Sequence, residues 1–330
     1  MKLPVSYSDV FNVKKHNFNE IALEIFRYQS QENSVYRNFL NHVECNPDEI
    51  THFEDIPYLP IAFFKTHQIT TGNWITKTSK YYESSSTTGL NTSKHYINDA
   101  NWYNQSFTKG FERVYSDVTE WCIVALLPNY LENEHSSLIA MVDQLITLSK
   151  NKDSGYYLDK DESLHERLRS NESEGKKTLL IGVSFALLDL QLPPNQTFQH
   201  LTILETGGMK GRQKELTRAE LHMHISTTFP GAKIHSEYGM TELFSQAYMT
   251  DENNFVTPPW MHVSLSELDD PFKQARFNKT GLIRIIDLAN IETCSFIATS
   301  DVGKMHKDDS FEVLGRYDYS EQRGCNLLIA

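Results

Sequence analysis

Cysteine is scarce. Four residues in 330, Cys45, Cys122, Cys294 and Cys325, stand far apart with no C-x-x-C pair, which excludes a disulfide framework and a structural zinc ladder. A reducing cytoplasm fits that usage best. Long apolar runs are also missing: Trp121 to Leu127 and the Gly/Ser-broken Leu179 to Leu188 are the longest, far below the roughly 18 residues of a membrane span, and Met1 to Asp9 has no apolar signal core. Positive charge is in deficit, with 31 Lys+Arg against 43 Asp+Glu and a net charge of −12. That leaves no long-range attraction for nucleic acid or an anionic membrane surface. With only 15 Gly and 11 Pro, collagen-like and disordered chains are excluded as well. What the chain has in quantity is apolar surface, 39% hydrophobic and 12% aromatic residues, enough to bury a substantial core.

Apolar residues recur at helical spacing from Phe18 to Leu40, which predicts two amphipathic helices docked on something larger. Two prolines between Ile56 and Phe64 forbid a helix interior, so that stretch is expected to be an extended strap. Beyond it, short apolar strands alternate with helical stretches, the pattern of an α/β fold. Strands are expected at Trp121 to Leu127, Leu179 to Val183, Leu201 to Leu204 and Lys233 to Ser236. Helices are expected at about Asp99 to Val114, Ser136 to Ser149 and Thr217 to Phe229, the last opened by the capping box Thr217-x-x-Glu220. The charged stretch Asn151 to Lys177 reads as a surface excursion. After Asp251 a rigid Thr257-Pro258-Pro259-Trp260 leads into short strands at Leu282 to Asp287, Ser295 to Thr299 and Phe311 to Leu314. Cys45, Cys122 and Cys294 read as core residues, and His222-x-His224 points its rings to different helix faces.

Two stretches carry chemistry. Ser84-Ser85-Ser86-Thr87-Thr88 followed by Gly89 offers hydroxyls and backbone amides that can wrap phosphate oxygens, with Lys94 nearby to add positive charge. The spacing is not that of a G-x-x-x-x-G-K-[ST] loop. The second stretch is Tyr238-Gly239-Met240-Thr241-Glu242, entered from a strand. It holds an aromatic ring, a glycine allowing close backbone approach, a hydroxyl and a carboxylate within five residues, a set able to hold a planar base, a phosphate and a Mg²⁺ ion.

These motifs, in this order, resemble the adenylate-forming superfamily of acyl-CoA synthetases, luciferases and peptide-synthetase adenylation domains, whose signatures read S-S-G-T-T-G and Y-G-x-T-E. Thr299-Ser300-Asp301-Val302-Gly303 resembles the superfamily's ribose-binding aspartate motif. Gly315-Arg316-Tyr317-Asp318 with Arg323-Gly324 resembles its hinge motif, and Thr206-Gly207-Gly208 its adenine-facing glycines. Within the superfamily, Gly207-Gly208-x-Lys210-Gly211, Leu127-Pro128-Asn129-Tyr130-Leu131-Glu132 and the tail from Arg323 are most similar to the acyl-protein synthetases of bacterial luminescence and phenylacetate-ligase-like proteins. The resemblance implies one α/β adenylate-forming domain over 1–330, of packed β-sheets and helices. It would comprise a helical N-terminal part (1–80), a nucleotide-binding core (81–255) and a β-rich subdomain (256–330), with the superfamily's mobile C-terminal lid absent. Ser86 departs from the pattern, standing where the superfamily has glycine.

The implied activity is ATP-dependent conversion of a carboxylic, fatty acid to acyl-AMP, followed by transfer to a thiol. Ser84, Ser85, Ser86, Thr87, Thr88, Gly89 and Lys94 would hold the departing phosphates, and Gly207, Gly208, Tyr238, Gly239 and Asp301 the nucleoside. Thr241 and Arg316 would contact phosphate, and Glu242 would anchor Mg²⁺. Cys325 is the expected nucleophile, two residues after Arg323, whose charge favours thiolate. The alternative acceptor is a thiol of CoA or of a carrier protein. The expected partner is an acyl-accepting reductase, transferase or carrier protein, in the cytoplasm. Two other readings stay open: an acyl-CoA or aryl-CoA ligase, and an inactive nucleotide- or acyl-binding scaffold.

Overall fold

The computed structural model describes residues 3–76, 79–84, 92–128, 134–157, 162–191, 196–207, 216–250 and 254–317. The chain opens with helices α1 (Tyr7–Phe11), α2 (Phe18–Glu32) and α3 (Ser34–His42), then a two-residue strand β1 (Leu59–Pro60) and a one-turn helix α4 (Phe63–Thr66). A hairpin of β2 (Lys80–Glu83) and β3 (Lys94–Ile97) precedes α5 (Ala100–Tyr115). Next come β4 (Cys122–Leu126), α6 (Ser137–Ser149), β5 (Gly155–Tyr156), α7 (Glu162–Ser173), β6 (Thr178–Val183), α8 (Ser184–Leu188), β7 (Leu201–Thr206), α9 (Arg218–Thr228), β8 (Lys233–Tyr238) and β9 (Ala247–Met249). The chain then runs through β10 (Met261–Ser266), β11 (Thr280–Asp287), β12 (Phe296–Met305) and β13 (Phe311–Arg316).

Strands β5-β4-β6-β7-β8-β9 form one sheet, parallel except for β9. Every residue of β4, β6 and β7 is buried, as parallel strands require when helices cover both faces. The helix α9 begins at the expected capping box, with Thr217 and Glu220 each satisfying the other's end. A second sheet runs β1-β12-β11-β10, with β13 on β12. β1 lies parallel to β12, pairing Leu59 with Ile297. Helix α2 grips the turn before β12. Gln29 donates to the carbonyls of Asn290 (3.0 Å) and Ile291 (3.1 Å) and accepts from the Ser295 amide (2.9 Å), and Asn33 donates to the Thr293 carbonyl (2.8 Å).

Four expectations change. The strap is extended only to Pro60, after which Ala62 turns the chain into α4 and buries Phe64. Asn151 to Lys177 is no bare excursion, since β5 pairs with β4 and α7 buries Leu164, Leu168 and Asn171. The strand expected at Ser295 to Thr299 runs on to Met305, so Asp301 sits inside β12 and is no turn residue. Cys45 is only half-buried, whereas Cys122 and Cys294 lie in the core.

Candidate functional site

β8 ends at Tyr238, at the carboxyl edge of the parallel sheet, where ligands bind in open α/β folds. The Tyr238 hydroxyl donates to Asp301 Oδ2 at 2.8 Å, and Arg316 Nε reaches Asp301 Oδ1 at 3.3 Å. The register of β12 on β13 sets Asp301 directly opposite Arg316. The Asp301 amide is fixed by Thr299 Oγ1 at 3.0 Å, and that hydroxyl in turn donates to the Ile283 carbonyl at 2.8 Å. Three separate motifs thus converge on one carboxylate. Burial and the Asp301 charge push the Tyr238 phenol well up, so it stays a donor. The Arg316 side chain is 80% exposed and stands at the mouth of the site.

The segment after Tyr238 is pinned from below. His95, fully buried, links the Thr241 carbonyl (2.7 Å to Nδ1) to Thr293 Oγ1 (2.9 Å to Nε2). A carbonyl only accepts, so Nδ1 carries the proton and Nε2 accepts. The ring stacks on Phe244 with centroids 4.7 Å apart, and burial holds its pKa down to about 4. Asp287, also fully buried, accepts from the amides of Phe244 (2.9 Å), Ser245 (2.9 Å) and Ala289 (3.1 Å) and from Ser245 Oγ (2.6 Å). Glu242 is 5% exposed. Burial raises its carboxyl, opposed by a hydrogen bond with Ser93 and by the charge of Arg316. Its carbonyl accepts from Asn290 Nδ2 at 2.8 Å.

The hydroxyl-rich stretch falls between β2 and β3 in the sequence. Ser85, Ser86, Thr87, Thr88 and Gly89 lie outside the described residues, as do Gly208 and Cys325. The stem below them is knitted: the Ser84 amide donates to the Ser93 carbonyl (3.0 Å), the Ser93 amide to Ser84 Oγ (2.9 Å), and Thr92 Oγ1 to Glu83. Lys94 stands opposite Glu83, with its ammonium 4.7 Å from the Tyr81 ring centroid. Strand alternation turns it to the face away from His95, so it is not brought to Thr241 and Glu242. Gly207, just past the end of β7, has φ of +79°, and its carbonyl lies 2.7 Å from Ser184 Oγ.

The sequence reading missed a polar network on the α9 side of β7 and β8. Glu205 accepts from Ser184 Oγ (2.5 Å) and Ser236 Oγ (2.8 Å) and pairs with Arg218 (3.3 Å). His222 Nε2 lies 2.9 Å from Ser236 Oγ, and burial lowers its pKa to about 4. Burial raises Glu205, with Arg218 and the two serines opposing. Glu237 was missed as well, on the opposite face of β8, where it accepts a hydrogen bond from Thr206 Oγ1. The available signal was a carboxylate near the end of each strand, in Leu204-Glu205 and again in Ser236-Glu237.

A parallel sheet whose end carries the Tyr238–Glu242 loop, faced by a second sheet that delivers Asp301 and Arg316, is the architecture of the adenylate-forming ligases. A 2-hydroxyisobutyryl-CoA ligase in complex with R3-HIB-AMP superposes with TM-score 0.65 over 96% of this chain and 74% of its own, at 10% identity. ATP-bound MatB from Rhodopseudomonas palustris gives 0.53 over 72% of this chain, at 15% identity. The luciferase-like enzyme of the mealworm Zophobas morio gives 0.50 over 83% of this chain and 61% of its own, at 14% identity. At such identities the likeness is one of fold. The chain spans about half the length of MatB, 47%. No curated protein matches the sequence. Residues 3–330 match the acyl-protein synthetase family, LuxE, and the chain belongs to that family. Among the described residues no helix is long and apolar enough to cross a membrane.

Proposed function

We propose that the chain activates a carboxylic acid of the fatty class with ATP and hands the acyl group to a thiol, acting in the cytoplasm as an acyl-protein synthetase. The observation that carries this reading is the convergence of Tyr238 and Arg316 on Asp301 above a loop pinned by His95 and Asp287. A carboxylate is a poor acyl donor because its oxygen leaves badly, and linking that oxygen to a phosphate cures the defect. In-line attack of the carboxylate on the α-phosphorus of ATP forms the acyl–phosphate bond and releases pyrophosphate. Two anions must meet, so donors preset around the phosphates supply the stabilisation. Asp301 would accept from the ribose hydroxyls, Arg316 would reach ribose and phosphate from its exposed position, and Thr241 would donate to the α-phosphate. Ser84 and the hydroxyl-rich loop would hold the departing pyrophosphate.

Glu242 is the residue suited to Mg²⁺. It is a carboxylate whose pKa burial raises, and among the described residues no three His, Cys, Asp or Glu form a cage of their own. Mg²⁺ is commonly held by one or two carboxylates plus substrate phosphates. When bound, the ion would neutralise phosphate charge. Membership of the family supports a protein acceptor, a reductase, transferase or carrier, with Cys325 as the candidate acyl-carrying thiol on this chain.

The test is incubation with ATP, Mg²⁺ and a panel of carboxylic acids, following acid-dependent pyrophosphate release and intact protein mass together. Pyrophosphate with a hydroxylamine-labile acyl adduct that vanishes in Cys325→Ser supports the full reading. Release of pyrophosphate without an adduct moves the thiol to a carrier or to CoA. No release across the panel, with an acceptor protein present, would refute adenylation.

A further inference from the structure

Strand β8 offers different chemistry on its two faces. Ser236 and Tyr238 face α9 and Asp301, and alternation turns His235 and Glu237 toward α5. On that side Glu237 is 9% exposed, with one oxygen taken by Thr206 Oγ1. The other folds back over the next turn of chain, since a Cβ on Gly239 would lie 2.2 Å from Glu237 Oε1 and 3.2 Å from Gln246 Cγ. Glu237 and Gln246 therefore flank the first turn of the Tyr238–Glu242 loop together. Gln246 is 5% exposed, and its Oε1 has no hydrogen-bond partner among the described residues.

Two of the neighbouring donors are already committed. Tyr103 donates to the Ser137 carbonyl at 3.0 Å, and the Tyr115 hydroxyl bonds His235 Nδ1 at 3.1 Å. A buried amide oxygen with nothing to accept is costly and rare, and Gln246 approaches the same Gly239 turn as the Glu237 carboxyl. Burial pushes the Glu237 carboxyl up to about 7, Thr206 and Arg218 opposing and Glu205 adding to the rise. An aliphatic chain would leave both acceptors unmatched. A hydroxyl or ammonium would satisfy them, beside the first turn of the Tyr238–Glu242 loop.

We infer that the α5 side of β8 receives the acyl part of the substrate, and that the substrate is an acid carrying a hydrogen-bond donor, hydroxyl or amino, within the first few carbons of its carboxylate, bound by Glu237 and Gln246. This rests on the adenylation reading above and narrows its substrate class.

The experiment measures binding of non-hydrolysable acyl-sulfamoyladenosines to the full chain by calorimetry. The series is hexanoyl, hydroxyhexanoyl and aminohexanoyl, the latter two substituted two carbons from the carbonyl, with sulfamoyladenosine itself as reference. The expected result is binding of a donor-bearing member at least about tenfold tighter than hexanoyl. Glu237→Met and Gln246→Leu should each collapse that preference while leaving sulfamoyladenosine affinity unchanged. Gln246→Leu should also melt no lower than the parent, because it removes an unpaired acceptor; a purely structural role would lower the melting point. Glu237→Gln separates the two donors, since loss of charge removes an amino preference and spares most of a hydroxyl one. Equal or tighter binding of hexanoyl, or a preference surviving both substitutions, overturns the substrate assignment while adenylation stands. Failure of every member, sulfamoyladenosine included, overturns adenylation and this proposal with it.

Discussion

His95 is the place to test whether the loop is held as described, and His95→Phe is the sharpest probe. Phenylalanine keeps a ring against Phe244 and Phe64 and deletes both nitrogens. The Thr241 carbonyl loses a 2.7 Å bond and Thr293 Oγ1 a 2.9 Å one. An abandoned buried polar group costs about 1–3 kcal/mol, and the Thr293 hydroxyl can rotate, so the net loss at neutral pH should be about 2–4 kcal/mol. The pH dependence separates this from mere repacking. Burial holds the imidazole at about 4 against an ordinary 6.5. The unfolded chain therefore binds a proton that the folded chain refuses. For a base with a depressed pKa, the stability is fully present above 6.5 and is lost as pH falls toward 4. A difference of about 2.5 pH units corresponds to about 3 kcal/mol. His222 and His262 are held equally low, so the readout is the difference between parent and variant, in which their contributions cancel. Urea denaturation in steps from about pH 8 to about pH 4 should show a gap of about 2–4 kcal/mol that closes as the pH nears 4. A gap that stays parallel across the range refutes the assignment of a neutral, doubly bonded His95.

Asp287→Asn replaces one of two oxygens that together receive four donors. Whichever way the amide faces, two donors lose their acceptor, and a loss of about 3–5 kcal/mol is expected by chemical denaturation; a loss under about 1 kcal/mol would show that Asp287 does not hold the loop. Asp301→Ala strands the Tyr238 hydroxyl and frees Arg316, so the ATP KM in pyrophosphate release should rise about tenfold or more. An unchanged KM would remove Asp301 from the nucleotide site. Thr217→Ala deletes the α9 cap and should cost about 1 kcal/mol in thermal unfolding.

The parts of the molecule legible in the sequence were those whose cause is local. β4, β6 and β7 announced themselves as short apolar runs, and α9 through its capping box. Tyr238 to Glu242 and Asp301 stood out because their residue types sit at fixed spacings within a few positions. Helix α7 was not legible: only Leu164 and Leu168 mark its buried stripe, and the third buried position is Asn171, whose amide donates to Thr178 Oγ1 at 3.1 Å. His95 gave no signal, because a lone histidine in an alternating strand acquires its meaning only from Thr241 and Thr293, far along the chain. The Glu205 network is similar, since Ser184, Glu205, Ser236 and His222 arrive from four elements and meet only once the sheet is assembled. Backbone pattern predicts strands and helices well; it does not predict which buried carboxylates will share a donor.

The pairing of Leu59 with Ile297 also has a consequence for how the protein is made. Synthesis delivers β1 and the helices ahead of it well before β12, because Leu59 and Ile297 lie far apart along the chain. Until then α2 has its Gln29 and Asn33 amides without the turn they grip, and Phe26 lacks the Phe296 ring it packs against. Contacts of such long sequence separation form slowly and leave apolar surface exposed in the interim. The first sixty residues are thus a nascent segment in need of shelter, and the strand they wait for is the one that bears Asp301. Folding of the opening helices and completion of the site become a single late event.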